Sequence, residues 1–454
     1  MSELEFDVVV LGAGPAGEVA AGRLAEAGLA VAIVEQQLVG GECSYYACMP
    51  SKGLLRPGEL LAEAKRIAGV REAVTGDLDA RAVLARRDEI IHDLDDSAQL
   101  PWLESRGIEL IRGHGRIDGE RRVVVGDDVI AVRKAVIVAT GSSSNVPPID
   151  GLRAAEPWSN REATTATEVP ARLAILGGGV VGVELAQAWN DLGSRVTILE
   201  RGDRLLAREE LFASEQVRDA LHERGVHVIC GVAATSVRAG GGEVTIELDH
   251  GGPLRADELL VAIGRKPNTA DIGLESVGLE PGKYIDVDDQ LRVNDWLYAI
   301  GDANGRALLT HIGKYQARVV AGVILGKDVR ASADGSVSPR VVFTDPQVAA
   351  IGHTIASARE AGLNVHCVDV RTQGSAGASF YGGDSLPGTT RLVVDRDRDV
   401  IVGATFTGFE VAELLQAATV AVVGEVPLER LQHAVPSYPT RSEVWIYLLV
   451  ALGL

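Results

Sequence analysis

Phe6-Asp7-Val8-Val9-Val10-Leu11-Gly12-Ala13-Gly14-Pro15-Ala16-Gly17 is the stretch that decides the fold. Phe6 to Leu11 is an apolar run with the length of a buried strand, and Gly12, Gly14 and Gly17 follow it at GxGxxG spacing. Glu18 to Ala27 is rich in alanine and reads as a helix closed by Gly28. Leu29 to Val34 reads as a second strand, and Glu35 ends it. Strand, glycine turn, helix, strand and acid in that order predict the opening of a doubly wound parallel sheet. Each glycine has its own task. Gly12 makes the turn, Gly14 lets backbone approach a pyrophosphate, and Gly17 lets the helix lie close to the strand. The helix N-terminus offers unpaired N–H groups and a positive dipole end to phosphate. Glu35 stands where a ribose hydroxyl would be held.

The pattern returns at Ala171 to Leu176, with Gly177, Gly179 and Gly182 as the turn, Val183 to Leu192 as the helix, Arg195 to Leu199 as the strand and Glu200 as the acid. Two copies imply two dinucleotide sites. At the second, Glu200 would repel the 2′-phosphate of NADPH and favour NADH, while Arg201 and Arg204 keep NADPH as the alternative.

The rest of the chain sets bounds on this reading. A length of 454 residues suggests about three domains. A net charge of −19 argues against nucleic acid or an anionic membrane as partner. The acidic start, Met1 to Glu5, is unlike a secretory signal, and four cysteines do not make a disulfide scaffold, so the expected compartment is the cytoplasm. The apolar tail Val444 to Leu454 is too short to span a bilayer and reads as a buried helix. Pro57 to Ser105 looks largely helical. Ile108 to Thr140 looks like short strands with turns at Gly115 and Asp118-Gly119, and Val244 to Ile263 alternates like strands. Trp296 to Asp302 is a further apolar strand ending on an acid. Gly326 to Pro339 reads as a boundary, and Arg340 to Leu454 as an α+β unit without a dinucleotide motif.

Chemistry concentrates in Gly40-Gly41-Glu42-Cys43-Ser44-Tyr45-Tyr46-Ala47-Cys48-Met49-Pro50-Ser51-Lys52. Cysteines five positions apart lie about 140° apart on an ideal helix, so they meet only if a glycine-led loop or a distorted first turn bends them together. Gly40 and Gly41 supply that freedom. A cysteine at a helix N-terminus is acidified into a usable thiolate. Metal ligation and two inert thiols are the alternatives, the first lacking further ligands nearby.

With these segments in place the chain resembles the pyridine nucleotide-disulfide oxidoreductases, the family of lipoamide dehydrogenase, glutathione reductase and mercuric reductase. Gly41 to Lys52 is similar to that family's G-x-C-x4-C-x-P-S-K segment. Ala139-Thr140-Gly141 resembles its A-T-G turn, Gly264-Arg265-Lys266-Pro267-Asn268 its G-R-x-P-N, and Ala299-Ile300-Gly301-Asp302 its A-x-G-D. Val342-Phe343-Thr344-Asp345-Pro346 resembles the entry to its interface domain. The resemblance implies an α/β fold of two Rossmann-like dinucleotide-binding domains plus a C-terminal α+β dimerisation domain. The expected segments are FAD-binding at 1–150 and 269–337, NAD(P)-binding at 151–268 and interface at 338–454. It implies a homodimer that binds FAD and a nicotinamide coenzyme and exchanges electrons with a small acceptor or donor. Cys43 would be the interchange thiol and Cys48 the thiol beside the flavin, the two forming a disulfide when oxidised. Lys52 would sit by the flavin and pair with Glu184, and Asp302 would hold the ribityl chain.

One motif departs from the family. The H-P-T-x-S-E of disulfide-reducing members, whose His is the acid/base and whose Glu orients it, reads Tyr438-Pro439-Thr440-Arg441-Ser442-Glu443 here. Tyrosine, with a reference pKa of about 10, is a poor base at neutral pH. His433 is the nearest substitute. Three functions are therefore expected to compete: a dithiol/disulfide oxidoreductase, a reductase of quinones or similar diffusible acceptors with the cysteines auxiliary, and a non-catalytic FAD-binding subunit.

Overall fold

The computed structural model describes residues 3–382 and 386–454. Its contacts divide the chain into two compact units. One comprises Met1–Pro50, Asp88–Asn145 and Gly264–Gly335; the other comprises Ser51–Arg87, Val146–Ile263 and Ser336–Leu454.

The first unit is built on the motif strand Glu3–Leu11, which pairs in parallel with Val31–Glu35 on one side and Asp128–Val138 on the other. Glu109–Arg112 and Leu297–Ala299 extend the parallel part, and Arg122–Val125 and Gly115–Ile117 add an antiparallel edge. Val8, Val9, Val10 and Ile33 are fully buried, as strands covered on both faces require. The motif helix begins at Pro15, not Glu18, and runs to Glu26. Proline suits the first helical position, where its missing N–H costs nothing. The helix Thr310–Ile324 packs against it, and a Cβ on Gly313 would come within 3.2 Å of the Ala16 Cβ.

The second unit repeats the plan with Arg172–Leu176, Arg195–Glu200, His227–Cys230 and Glu258–Val261 in parallel and the helix Val180–Asp191 after the turn. It also holds a five-stranded antiparallel sheet in the order Arg340–Val342, Gln347–Gly352, Val400–Gly408, Thr389–Asp395, Val365–Arg371. Phe406, Trp445 and Leu448 are central to the core beneath that sheet.

Three sequence expectations need correction. Gly115 opens a strand instead of making a turn; the bend precedes it, where Gly113 takes a positive φ of 146°. Pro57 to Ser105 is helical only in part, and its main helix starts upstream as Cys48–Arg66 with Pro57 inside it. The C-terminal helix Val444–Ala451 is not wholly buried: Val444, Trp445, Leu448 and Leu449 face the core, while Ile446, Tyr447 and Val450 are exposed. Among the described residues no helix is long and apolar enough to cross a membrane.

Candidate active site

Both glycine turns are built as a nucleotide cradle. A Cβ on Gly12 would lie 2.4 Å from the Ala139 carbonyl oxygen, and one on Gly17 would lie 1.9 Å from that of Gly12. The Gly14 position faces open space, and no side chain caps the helix that starts there. The second turn has the same anatomy: Gly177 and Gly182 are closed in by backbone, Gly179 is open, and its helix also lacks a side-chain cap. Uncapped N–H groups over open space suit a phosphate. Glu35 accepts from Ala13 N at 2.8 Å and Gln37 N at 2.7 Å; Glu200 accepts from Gly178 N and Gly202 N, both at 2.6 Å. Each carboxylate is thereby aimed, with lone pairs left for a ribose. Arg204 is turned onto the carbonyls of Ala207 and Glu209.

The other motif segments of the first unit converge by hydrogen bonds. Ala139 N donates to Leu11 O, Asn268 Nδ2 to Thr140 O and Asn268 N to Gly141 O, while Asn145 N donates to Gly264 O and Gly301 N to Gln316 Oε1. Arg265 Nε donates to Ser142 Oγ at 2.6 Å, and the Ser142 hydroxyl donates to Asp302. Burial pushes the Asp302 carboxyl above its ordinary range against the pull of Ser142 and Arg265. The Thr140 hydroxyl is buried without a hydrogen-bond partner. An orphaned buried hydroxyl beside an open cradle fits a bound polar cofactor, and FAD is the group for which these residues are suited.

The cysteine segment is two helices broken by a kink: Gly41–Tyr45 carries Cys43, and Cys48 opens Cys48–Arg66. Gly40 and Gly41 take positive φ of 107° and 60°, and a Cβ on Gly41 would lie 2.8 Å from Gly14 Cα. That close approach seats the start of the Cys43-bearing helix against the glycine turn. The break brings the two sulfurs into hydrogen-bonding contact as free thiols, with the Thr310 hydroxyl also bonded and 3.4 Å from Cys48 Sγ. The Cys43 thiol is not acidified, as a helix terminus alone would suggest. The hydrogen bond its protonated thiol gives to Cys48, then burial, drive its pKa up, so the pair holds on to one proton.

On the same helix, Lys52 Nζ meets Glu184 Oε2 at 2.7 Å and lies 4.8 Å over the Phe343 ring. The other oxygen of Glu184 accepts from Phe343 N at 2.9 Å. Tyr438 and Glu443, by contrast, are not brought together. Tyr438 is 78% exposed, whereas Glu443 is buried with Oε2 accepting from Gly377 N and Thr440 N. His433 is exposed. Sequence reading missed Thr310, Ser142 and the Phe343 amide, because ordinary residues become part of a site only when distant segments pack.

Residues 6–321 match the family model described as pyridine nucleotide-disulphide oxidoreductase, and residues 338–448 match its dimerisation domain. The chain is 33% identical to dihydrolipoyl dehydrogenase of Mycobacterium bovis, with 96% of each chain covered. It is 31% identical to mercuric reductase of Staphylococcus aureus over 97% of this chain and 81% of that one. The structure of a Cu(II) complex of the HOCl-induced flavoprotein disulfide reductase RclA from Escherichia coli superposes with a TM-score of 0.87 at 26% identity, covering 99% of both chains. With two glycine cradles and a paired dithiol already in the structure, these matches over nearly its whole length mean that the chain belongs to the pyridine nucleotide-disulphide oxidoreductase family.

Proposed function

We propose that the protein is an NADH-dependent flavoprotein reductase that passes electrons through Cys43 and Cys48 to a small disulfide. The observation that carries this reading is the meeting of the two sulfurs, which a helix break inside a five-residue spacing brings into contact. When bound, FAD supplies two-electron exchange between a hydride donor and a disulfide. The chain's residues do the rest. The first cradle (Gly12, Gly14, Gly17) with Glu35 would hold FAD, aided by Ala139, Thr140, Gly141, Gly264, Arg265, Gly301 and Asp302. The second cradle (Gly177, Gly179, Gly182) with Glu200 would hold the coenzyme. NADH is favoured because Glu200 is locked in place and Arg204 is committed to carbonyls. Lys52 holds a positive charge whose orientation Glu184 fixes. The expected segment boundaries at 150, 268 and 337 belong to the same reading. So does a homodimer, whose second copy would cover the exposed side of Val444–Ala451.

Tyr438 stands where relatives with the H-P-T-x-S-E motif carry a histidine, and Glu443 is spent on backbone. The substrate should then be a disulfide whose leaving thiol is acidic enough to depart without a proton donor, since a lower leaving-group pKa speeds exchange. Positioned acid–base help is worth about 10²–10⁴-fold, so lipoamide turnover should trail that of an aromatic disulfide by at least about 100-fold. Purified FAD-loaded protein assayed with NADH against lipoamide, glutathione disulfide, an aromatic disulfide and a quinone tests this. Fastest turnover with the quinone, unaffected by Cys43→Ser, would reject the disulfide reading. Equal turnover of lipoamide and the aromatic disulfide would reject the substrate class.

A further inference from the structure

Asp334 is a buried carboxylate that the site described so far does not use. It lies in the polar stretch Gly326 to Pro339, one residue before the first unit ends at Gly335. Gly335 and Ser336 beside it are exposed, yet the Asp334 side chain is only 2% exposed. A carboxylate is buried where partners hold it, and Asp334 has two on one oxygen. Its Oδ2 accepts from Gln316 Nε2 at 2.9 Å and lies 3.3 Å from Arg306 Nε.

Gln316 is fully buried on the helix Thr310–Ile324. Its other end, Oε1, accepts from Gly301 N at 2.8 Å and from Asn304 Nδ2 at 3.0 Å. Asn304 is itself fixed, with Nδ2 donating to Ala299 O and Oδ1 accepting from Arg306 N, both at 3.0 Å. Gly301, at a positive φ of 64°, and Asn304 are the two ends of the turn that carries Asp302. An amide has one donor end and one acceptor end, whereas an ionised carboxylate only accepts. Asp334 therefore takes the N–H₂ end of Gln316 and leaves its oxygen for both ends of that turn.

The geometry points to Asp334 as a positioning residue for the FAD site: through the amide of Gln316 it holds Gly301 and Asn304, and with them the turn that presents Asp302 to the cofactor. The inference rests on FAD being the group that Asp302 holds.

Release of FAD from the loaded protein on serial dilution, read as free flavin fluorescence, gives the Kd that tests this. Asp334→Ala strands the buried amide N–H₂ and should raise that Kd about tenfold. Gln316→Glu sets two carboxylates face to face and should raise it by about as much. Adding Asp334→Asn to Gln316→Glu returns a donor opposite an acceptor, with the direction of that bond reversed and an oxygen still on Gly301 N. The double variant should come back to within about threefold of the wild type, a coupling that only interacting residues show. Mere loosening of the fold would leave the double variant weaker than Gln316→Glu alone, or unfolded, and either result would overturn the inference. So would an Asp334→Ala protein that holds FAD as tightly as the wild type. If Asp334→Ala does not fold, the Gln316→Glu comparison still decides, and a Gln316→Glu protein that folds only with Asp334→Asn beside it counts as the rescue. Asp302→Ala separates the two readings. FAD lost from Asp302→Ala but kept by Asp334→Ala removes only the role of Asp334, whereas a wild type that holds no FAD removes the proposed function as well.

Discussion

Glu184 and Glu443 are both buried glutamates, 3% and 5% exposed, each in a motif tied to the chemistry. Their bonding differs. Glu184 divides its oxygens, one on the Lys52 ammonium and one on the Phe343 amide. Glu443 places both backbone donors, Gly377 N and Thr440 N, on the single oxygen Oε2. The first carboxylate ties a charged side chain to the scaffold. The second staples a loop and leaves the side chain at 438 in solvent. On the proposed reading, the difference teaches that the electron-carrying end of this molecule is assembled in full, while the proton-carrying end keeps its acid only as a structural brace.

The largest expected effect tests the assembled end. Cys43→Ser or Cys48→Ser should lower NADH-driven disulfide reduction by about 10³-fold or more, because a hydroxyl can neither form nor exchange a disulfide. Reduction of a one-electron dye should stay within about threefold, since this chemistry does not use the sulfurs. Steady-state rates with both acceptors check it. Disulfide turnover surviving either substitution would show that the contact between the sulfurs is incidental.

The same conservative change at the two glutamates should then give opposite outcomes. Glu184→Gln keeps one acceptor oxygen but turns an amide N–H₂ toward either Lys52 or Phe343 N, where a donor meets a donor. That should cost about 1–3 kcal/mol of stability, the usual penalty of an unsatisfied buried polar group, tempered by the access of Lys52 to water. Glu443→Gln keeps the one oxygen that both N–H groups use, and should stay within about 0.5 kcal/mol of the wild type. Glu443→Ala orphans both donors and should cost about 2–6 kcal/mol, two penalties of the same kind. Urea titration of the three variants reads all of this. If Glu443→Gln proved as damaging as Glu443→Ala, the charge of Glu443 would matter and the brace reading would fail.

How much of this was legible in the sequence follows from how local each feature is. The two dinucleotide units were readable because strand, glycine turn, helix and acid lie within thirty or so residues, and their spacing is dictated by backbone sterics. The start of the cysteine-bearing helix was not, because Pro57 reads as a helix boundary, yet the chain accommodates it inside Cys48–Arg66. The Lys52–Glu184 pair could be anticipated only through resemblance, since 132 positions separate the two residues. Nothing near Glu443 announces that one of its two donors comes from Gly377, where a Cβ would lie 2.1 Å from the Thr440 carbonyl carbon. That glycine is required by close approach, a reason visible only after folding. Thr310 is an ordinary surface-type residue until the helix it opens packs beside Cys48.

The smallest effect is expected where the comparison is most easily misread. Tyr438→His would put a side chain of reference pKa about 6.5 at the position that the proposed reading equates with the family's acid/base. A motif comparison would then predict full recovery of acid–base catalysis. The bonding of Glu443 argues for less. The oxygen that would orient an imidazole is already occupied by two amides, and residue 438 is exposed on the single chain and not packed against Glu443. An unoriented histidine gives up most of the advantage of a positioned one. The gain in dihydrolipoamide kcat/KM should be about threefold, below the 10²-fold floor for positioned acid–base groups. Its sign with pH is fixed by the base: in the direction of dithiol oxidation the imidazole must be neutral, so the gain should appear as pH rises through about 6.5 and vanish below it. Dihydrolipoamide oxidation by NAD⁺ from pH 5.5 to 8.5, in wild type and variant, measures both size and sign. A gain of 100-fold with that inflection would mean that Glu443 can leave its amides and orient a base, and that the two buried glutamates differ only in the residue each has been given to hold.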